Sequence, residues 1–94
     1  MEKSQPSTYD RLMQEGYDNI VLFAGHSYDD AIIGVTECCR VVYDYEKMIE
    51  WLSNDEGWSV EDCIEWIDYN VISSLPYMGE KSPLIMYPIK KMKA

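Results

Sequence analysis

Between Asp44 and Val71 apolar residues recur at helical spacing, whereas on either side they come in short continuous runs. Val60, Cys63, Ile64, Ile67 and Val71 follow the i, i+3, i+4, i+7, i+11 pattern of one buried helix face. Ser59 stands at the N-cap position, Asp62 acts as a short-armed capping-box partner, and Trp58 and Cys63 occupy hydrophobic-staple positions. This helix is expected to run to about Ser73, because Pro76 disfavours helix in the residue before it. An earlier stripe, Tyr45, Met48, Ile49 and Leu52, predicts a first helix capped by Asp44 and stopped at Gly57. The connection Ser53-Asn54-Asp55-Glu56-Gly57 is short and polar, so the pair reads as an antiparallel helical hairpin. Trp51 and Trp66 fall off both stripes and either widen the buried face or sit at its edge.

Outside this region the pattern changes. Ser7 or Thr8 can cap a short helix through Tyr9, Leu12 and Met13, ending at Gly16. The run Ile20-Val21-Leu22-Phe23-Ala24 is short and β-branched at its start, which predicts a buried strand. Gly25 to Asp30 reads as a loop. Ala31 to Val35 and Arg40 to Tyr43 predict two further strands. Tyr77 to Pro83 is turn-rich, and Leu84 to Tyr87 predicts a last strand closed by Pro88, a residue suited to a sheet edge. Residues 1–6 and 90–94 read as flexible ends of a single domain spanning 1–94. The fold class predicted is α+β: a small antiparallel or mixed sheet with an acidic helical hairpin packed on one face.

Charge sharpens this picture. The net charge is −9, and the stretch Tyr43 to Tyr69 carries nine carboxylates against the single base Lys47. Glu61, Glu65 and Asp68 fall on one face of the second helix, roughly 5 Å apart along the axis. Such like charges repel by about a few tenths of a kcal/mol per pair. This balance argues against direct nucleic-acid binding and against anionic membrane surfaces, since phosphate contacts rest on Lys and Arg. It favours a basic partner, or simply solubility. With 47% apolar residues the chain is not a disordered acidic tail. Eight Tyr and three Trp against one Phe fit an interface, or amphipathic aromatics at the edge of a small core. No apolar run approaches the ~20 residues needed to span a bilayer, and no secretory signal pattern opens the chain. Three cysteines, two of them adjacent, read as reduced thiols in a cytoplasm.

Candidate chemistry is sparse. His26 with Asp29 and Asp30 offers metal-ligating or acid–base groups, but there is no second His, and the plainer reading is a loop with turn-forming Asp residues. Cys38-Cys39 lacks CxxC spacing, and Cys63 lies on an apolar stripe where a small core residue belongs. Gly25 and Gly34 form no phosphate loop. A Glu61–Glu65 glycosidase pair would need a cleft that an outward helix face does not supply. Lys90, Lys91 and Lys93 read as a solvated basic tail. The reading therefore expects no catalytic residue, no metal and no cofactor. Its candidate surface is Glu46, Glu50, Trp51, Asp55, Glu56, Glu61, Glu65, Trp66, Asp68 and Tyr69. B-form DNA carries one charge per about 3.4 Å on each strand, and carboxylates on two adjacent helices reach a comparable density. Trp51, Trp66 and Tyr69 would supply the apolar anchors. The plainer alternative is a solvated outer face.

Four segments carry a resemblance: Tyr28 to Val35 (YDDAIIGV), Val42 to Tyr45 (VYDY), Glu65 to Asn70 (EWIDYN) and Gly79 to Pro83 (GEKSP). They resemble a group of small phage-encoded proteins of unassigned function. The resemblance implies a viral origin and a place in the cytoplasm of an infected bacterium, and it transfers no residue role. In size and charge the chain also resembles anti-CRISPR and anti-restriction inhibitors. The function expected is a non-catalytic, DNA-mimicking inhibitor of a host defence complex, its partner a basic nucleic-acid-binding protein or ribonucleoprotein. The alternatives are a self-associating structural or regulatory phage protein, such as a homodimer, and a small enzyme built around His26.

Overall fold

The computed structural model describes residues 8–17, 19–23 and 25–89. The ends expected to be flexible, 1–6 and 90–94, lie outside the described residues, and so do the tail lysines. In chain order the elements are α1 (Thr8–Gln14), β1 (Ile32–Val35), β2 (Val41–Asp44), α2 (Tyr45–Glu56), α3 (Val60–Trp66) and β3 (Leu84–Met86). A 3₁₀ turn at Asp29–Ala31 precedes β1, and α3 continues into a π-helical turn, Ile67–Val71, and a 3₁₀ segment, Ile72–Tyr77. The architecture is α+β, with a mixed sheet of order β1-β2-β3. β1 pairs antiparallel with β2, placing Ile32 opposite Tyr43 and Val35 opposite Val41. β3 pairs parallel with β2, Val42 facing Leu84 and Asp44 facing Met86. A parallel neighbour requires a long crossover, and the helices between β2 and β3 provide it. β3 takes the edge position that Pro88 suggested.

One core joins these elements. Val41 and Tyr43 of β2 meet Met48, Ile49 and Leu52 of α2, Cys63 of α3, and Ile67 and Val71 of the π turn. Asp44 caps α2 by accepting from the Lys47 N–H at 3.1 Å, and Gly57 ends it at φ 74°, its N–H on the Ser53 carbonyl. Ser59 caps α3 by accepting from Asp62 N–H. The Ser53 hydroxyl donates to the Trp58 carbonyl at 2.8 Å and closes the short link between the helices. Arg40 pins the approach to β3 through the carbonyl and hydroxyl of Ser82. Among the described residues no helix is long and apolar enough to cross a membrane.

The structure departs from the sequence reading at four places. Ile20 to Phe23 forms no strand; it is an irregular segment whose Ile20, Leu22 and Phe23 pack on the core, and Ala24 lies outside the described residues. Apolar content secured burial there, but a strand also needs a ladder partner. Ser53 to Glu56, expected as loop, form the last turn of α2. Val60 is 54% exposed, because it lies in the first turn, ahead of the residues that reach the core. Finally, α3 does not run as a plain α-helix to Ser73. The helical path widens and then tightens, carrying Pro76 within its 3₁₀ end. Side chains bond back onto the carbonyls of this segment: Asn70 donates to Trp66, Ser73 to Tyr69 and Ser74 to Val71.

The β1–β2 turn yields a stability prediction. Thr36 N–H donates to the Arg40 carbonyl, Cys39 N–H to the Thr36 carbonyl, and Cys39 sits at φ 63°. This is a turn followed by a left-handed residue, a position that glycine fills without steric strain. Cys39→Gly should raise stability by about 0.5–1 kcal/mol, a Tm gain of roughly 2–8 °C, while Cys38→Gly beside it should give none. Thermal melts of both variants check this.

Alkaline pH yields a second. Burial pushes the Tyr28 and Tyr43 phenols up to about 12, and Tyr45 also reaches about 12 by desolvation and its 2.8 Å hydrogen bond to Asp68. The fold therefore favours the neutral phenol over an unfolded chain that ionises near the ordinary 10.0. This contribution is intact below pH 10 and lost as pH rises toward 12. Urea midpoints should fall steeply across that window, with phenolate absorbance near 295 nm rising together with unfolding.

Candidate functional site

No Lys or Arg occurs between Lys47 and Lys81, so α2 beyond its first turn, α3 and the turns that follow carry acid without base. The two helices hold this acid differently. Glu61 and Asp62 lie in the first turn of α3, at the positive end of its dipole, where carboxylates are stabilised. Asp55 and Glu56 lie in the last turn of α2, at its negative end, with no base in that turn. Repulsion there is worth about 0.3–1 kcal/mol per charge.

His26 answers that end of α2. Its Nδ1 lies 3.8 Å from Asp55 Oδ2 and its Nε2 3.7 Å from Glu56 Oε2. The imidazole is half-buried among rings: its centroid is 6.1 Å from that of Trp51 and 5.8 Å from that of Trp66, both edge-on, and 6.0 Å from Tyr28. Tyr28 in turn packs on Trp51 at 5.3 Å, and Trp58 meets Trp66 at 5.5 Å. Tyr28 holds φ 49°, a left-handed conformation that a bulky residue adopts only when its surroundings enforce it. Its ring is buried and its hydroxyl closes no hydrogen bond, although Trp66 approaches it.

The grouping weighed from sequence, His26 with Asp29 and Asp30, does not form. Asp29 instead serves α1: its carboxylate accepts the Thr8 N–H at 3.0 and 3.2 Å, and its carbonyl accepts the Thr8 hydroxyl. Asp30 lies on a depression with Lys47, Glu50, Trp51, Asn54 and Asp55. Among the described residues, the set whose ligand atoms come within 4.8 Å of one another is His26, Asp55 and Glu56. Sequence reasoning missed it, because Asp55 and Glu56 read as loop residues and His26 lies far from them along the chain.

Nine of the ten candidate surface residues fall into two groups, one on α2 and one on α3 and the turn after it. Glu50, Trp51 and Asp55 share the α2 depression, and Glu56 lies beside it on the His26 side. Glu61, Glu65, Asp68 and Tyr69 share a second depression with Asp62 and Ile64, and Trp66 lines a neighbouring one with Trp58 and Asn70. Glu46 stands exposed in the first turn of α2. Among the intended anchors, Tyr69 is 80% exposed and Trp66 37%, but Trp51 is half-buried against Tyr28 and His26 and is a seam residue instead. Burial pushes the Cys63 thiol up, which makes it a poor nucleophile, and Cys38 and Cys39 belong to the β1–β2 turn. Comparison with protein-family models, curated proteins and solved structures returned no match, so the candidate site rests on its own residues.

Proposed function

We propose that this protein is a phage-encoded, non-catalytic inhibitor that docks its acidic face into the nucleic-acid groove of a basic host protein or ribonucleoprotein of the anti-CRISPR or anti-restriction type. The observation that carries the reading is the base-free stretch from Met48 to Glu80 together with the exposure of Glu61, Asp62, Glu65 and Asp68 on one run of helix. Among the described residues none of these four pairs with a lysine or arginine. An unneutralised acidic surface attracts a basic groove over a Debye length of about 8–10 Å and steers its encounter. Tyr69 and Trp66 stand at the border of the same carboxylates and supply the apolar contact that charge alone lacks.

The test starts with tagged protein used to capture its partner from host lysate, followed by binding kinetics on the purified pair. Glu61→Lys with Glu65→Lys should slow association at least tenfold and make the complex dissociate at moderate salt. Tyr69→Ala should speed dissociation, and the partner's own nucleic acid should compete with the inhibitor. A captured complex that tolerates the double reversal unchanged would show that the acidic face is not the contact. Light scattering on the same sample addresses self-association, which would give an oligomer stable at micromolar dilution and in high salt.

A further inference from the structure

We infer that His26, Asp55 and Glu56 form a binding site for a borderline divalent transition-metal ion of the Zn2+ type, with one donor atom from each side chain and the remaining coordination positions open to water. The inference does not depend on the inhibitor role.

Three observations converge on it. The first is geometric: one donor atom from each of the three side chains lies within 4.8 Å of the others, with the imidazole facing Asp55 through Nδ1, at 3.8 Å, and Glu56 through Nε2, at 3.7 Å. Around a tetrahedral ion with metal–ligand distances near 2.0–2.2 Å, neighbouring donors are about 3.3–3.6 Å apart. The set is therefore open, and closing it on one ring nitrogen requires one carboxylate to swing toward the other, which exposed side chains on the last turn of α2 can do by rotation about their own bonds. The second is the donor set. One imidazole with two carboxylates and open positions suits Zn2+ and its neighbours, while hard ions such as Mg2+ and Ca2+ prefer oxygen alone. The third is electrostatic. The chain places two carboxylates at the negative end of α2 and supplies no base in that turn. Lys47, the nearest base in sequence, lines the same depression as Asp55, yet no ion pair joins them. A dication there offsets both carboxylates and the helix end together.

The aromatic surround gives the site a fixed ligand and a built-in reporter. Edge contacts from Trp51 and Trp66 restrict the imidazole on two sides, so its orientation does not have to be purchased from metal binding. The same indoles stand within about 6 Å of the imidazole, close enough for a bound paramagnetic ion to quench their fluorescence.

The test uses the full chain carrying Cys38→Ser and Cys39→Ser, so that exposed thiols cannot supply the ligands, after removal of metal with chelator. Zn2+ titrated calorimetrically should bind one to one and raise Tm, with Mg2+ and Ca2+ at least a hundredfold weaker. Co2+ should quench tryptophan fluorescence with the same stoichiometry. His26→Gln, Asp55→Asn and Glu56→Gln should each weaken Zn2+ at least tenfold and abolish the quenching, with unchanged circular dichroism confirming that each variant folds. The inference is overturned if Zn2+ binding is absent, if it is indifferent to these three substitutions, or if it appears only with Cys38 and Cys39 present.

Discussion

The fold depends on a junction with no loop in it. Asp44 is the last residue of β2, paired with Met86 across the parallel edge, and it is also the N-cap of α2. The central strand thus turns into the helix within one residue, which ties the helix's direction to the sheet. The carboxylate is almost wholly buried and accepts the Lys47 N–H, so an apolar residue at this position would leave both a helix-end donor and the turn itself unsupported. Everything downstream inherits that placement: Met48, Ile49 and Leu52 fall on the core, and the far end of α2 is brought to the loop that carries His26.

Local chemistry made much of this visible in the amino-acid sequence. Asp44, Gly57 and Ser59 read as caps because capping involves only the residues within one turn, and all three act as caps. The stripes through Met48 and Leu52 and through Cys63 and Ile67 read as core for the same reason. Ile20 to Phe23 misled because an apolar run specifies burial without specifying a partner strand. The π turn was illegible because apolar spacing does not distinguish it from an α-helix, and Asn70, Ser73 and Ser74, whose ordinary preference is to leave a helix, here bond back to its carbonyls. Its effect on the candidate surface is direct: Asp68 and Tyr69 lie inside it, so the spacing of an ideal α-helix does not describe where they stand. Asp68 is further committed by the phenol of Tyr45, which donates to it.

The His26 cluster was hidden for a different reason. It joins a loop to a helix end nearly thirty residues later, and no periodicity spans such a gap. What made it findable was a conflict: acid at the wrong end of a helix, with nothing beside it in sequence to offset the charge. Local conflicts of this kind are where a distant group or a ligand is to be sought. The left-handed Tyr28 is a second such conflict, and it lies directly against the first, its ring packed on both the imidazole and Trp51.

These features divide the acidity of the molecule into two parts with different physical standing. At the start of α3 the helix dipole stabilises Glu61 and Asp62, so they can remain charged and exposed at little cost, which suits a surface awaiting a partner. At the end of α2 the dipole opposes Asp55 and Glu56, so a counter-charge there is favourable in the isolated protein as well as in a complex. A cation held by His26, Asp55 and Glu56 would remove charge from the second group and leave the first untouched. Occupancy of one site and docking through the other are therefore separable, with the packed rings of Trp51, His26 and Trp66 as one direct connection between them.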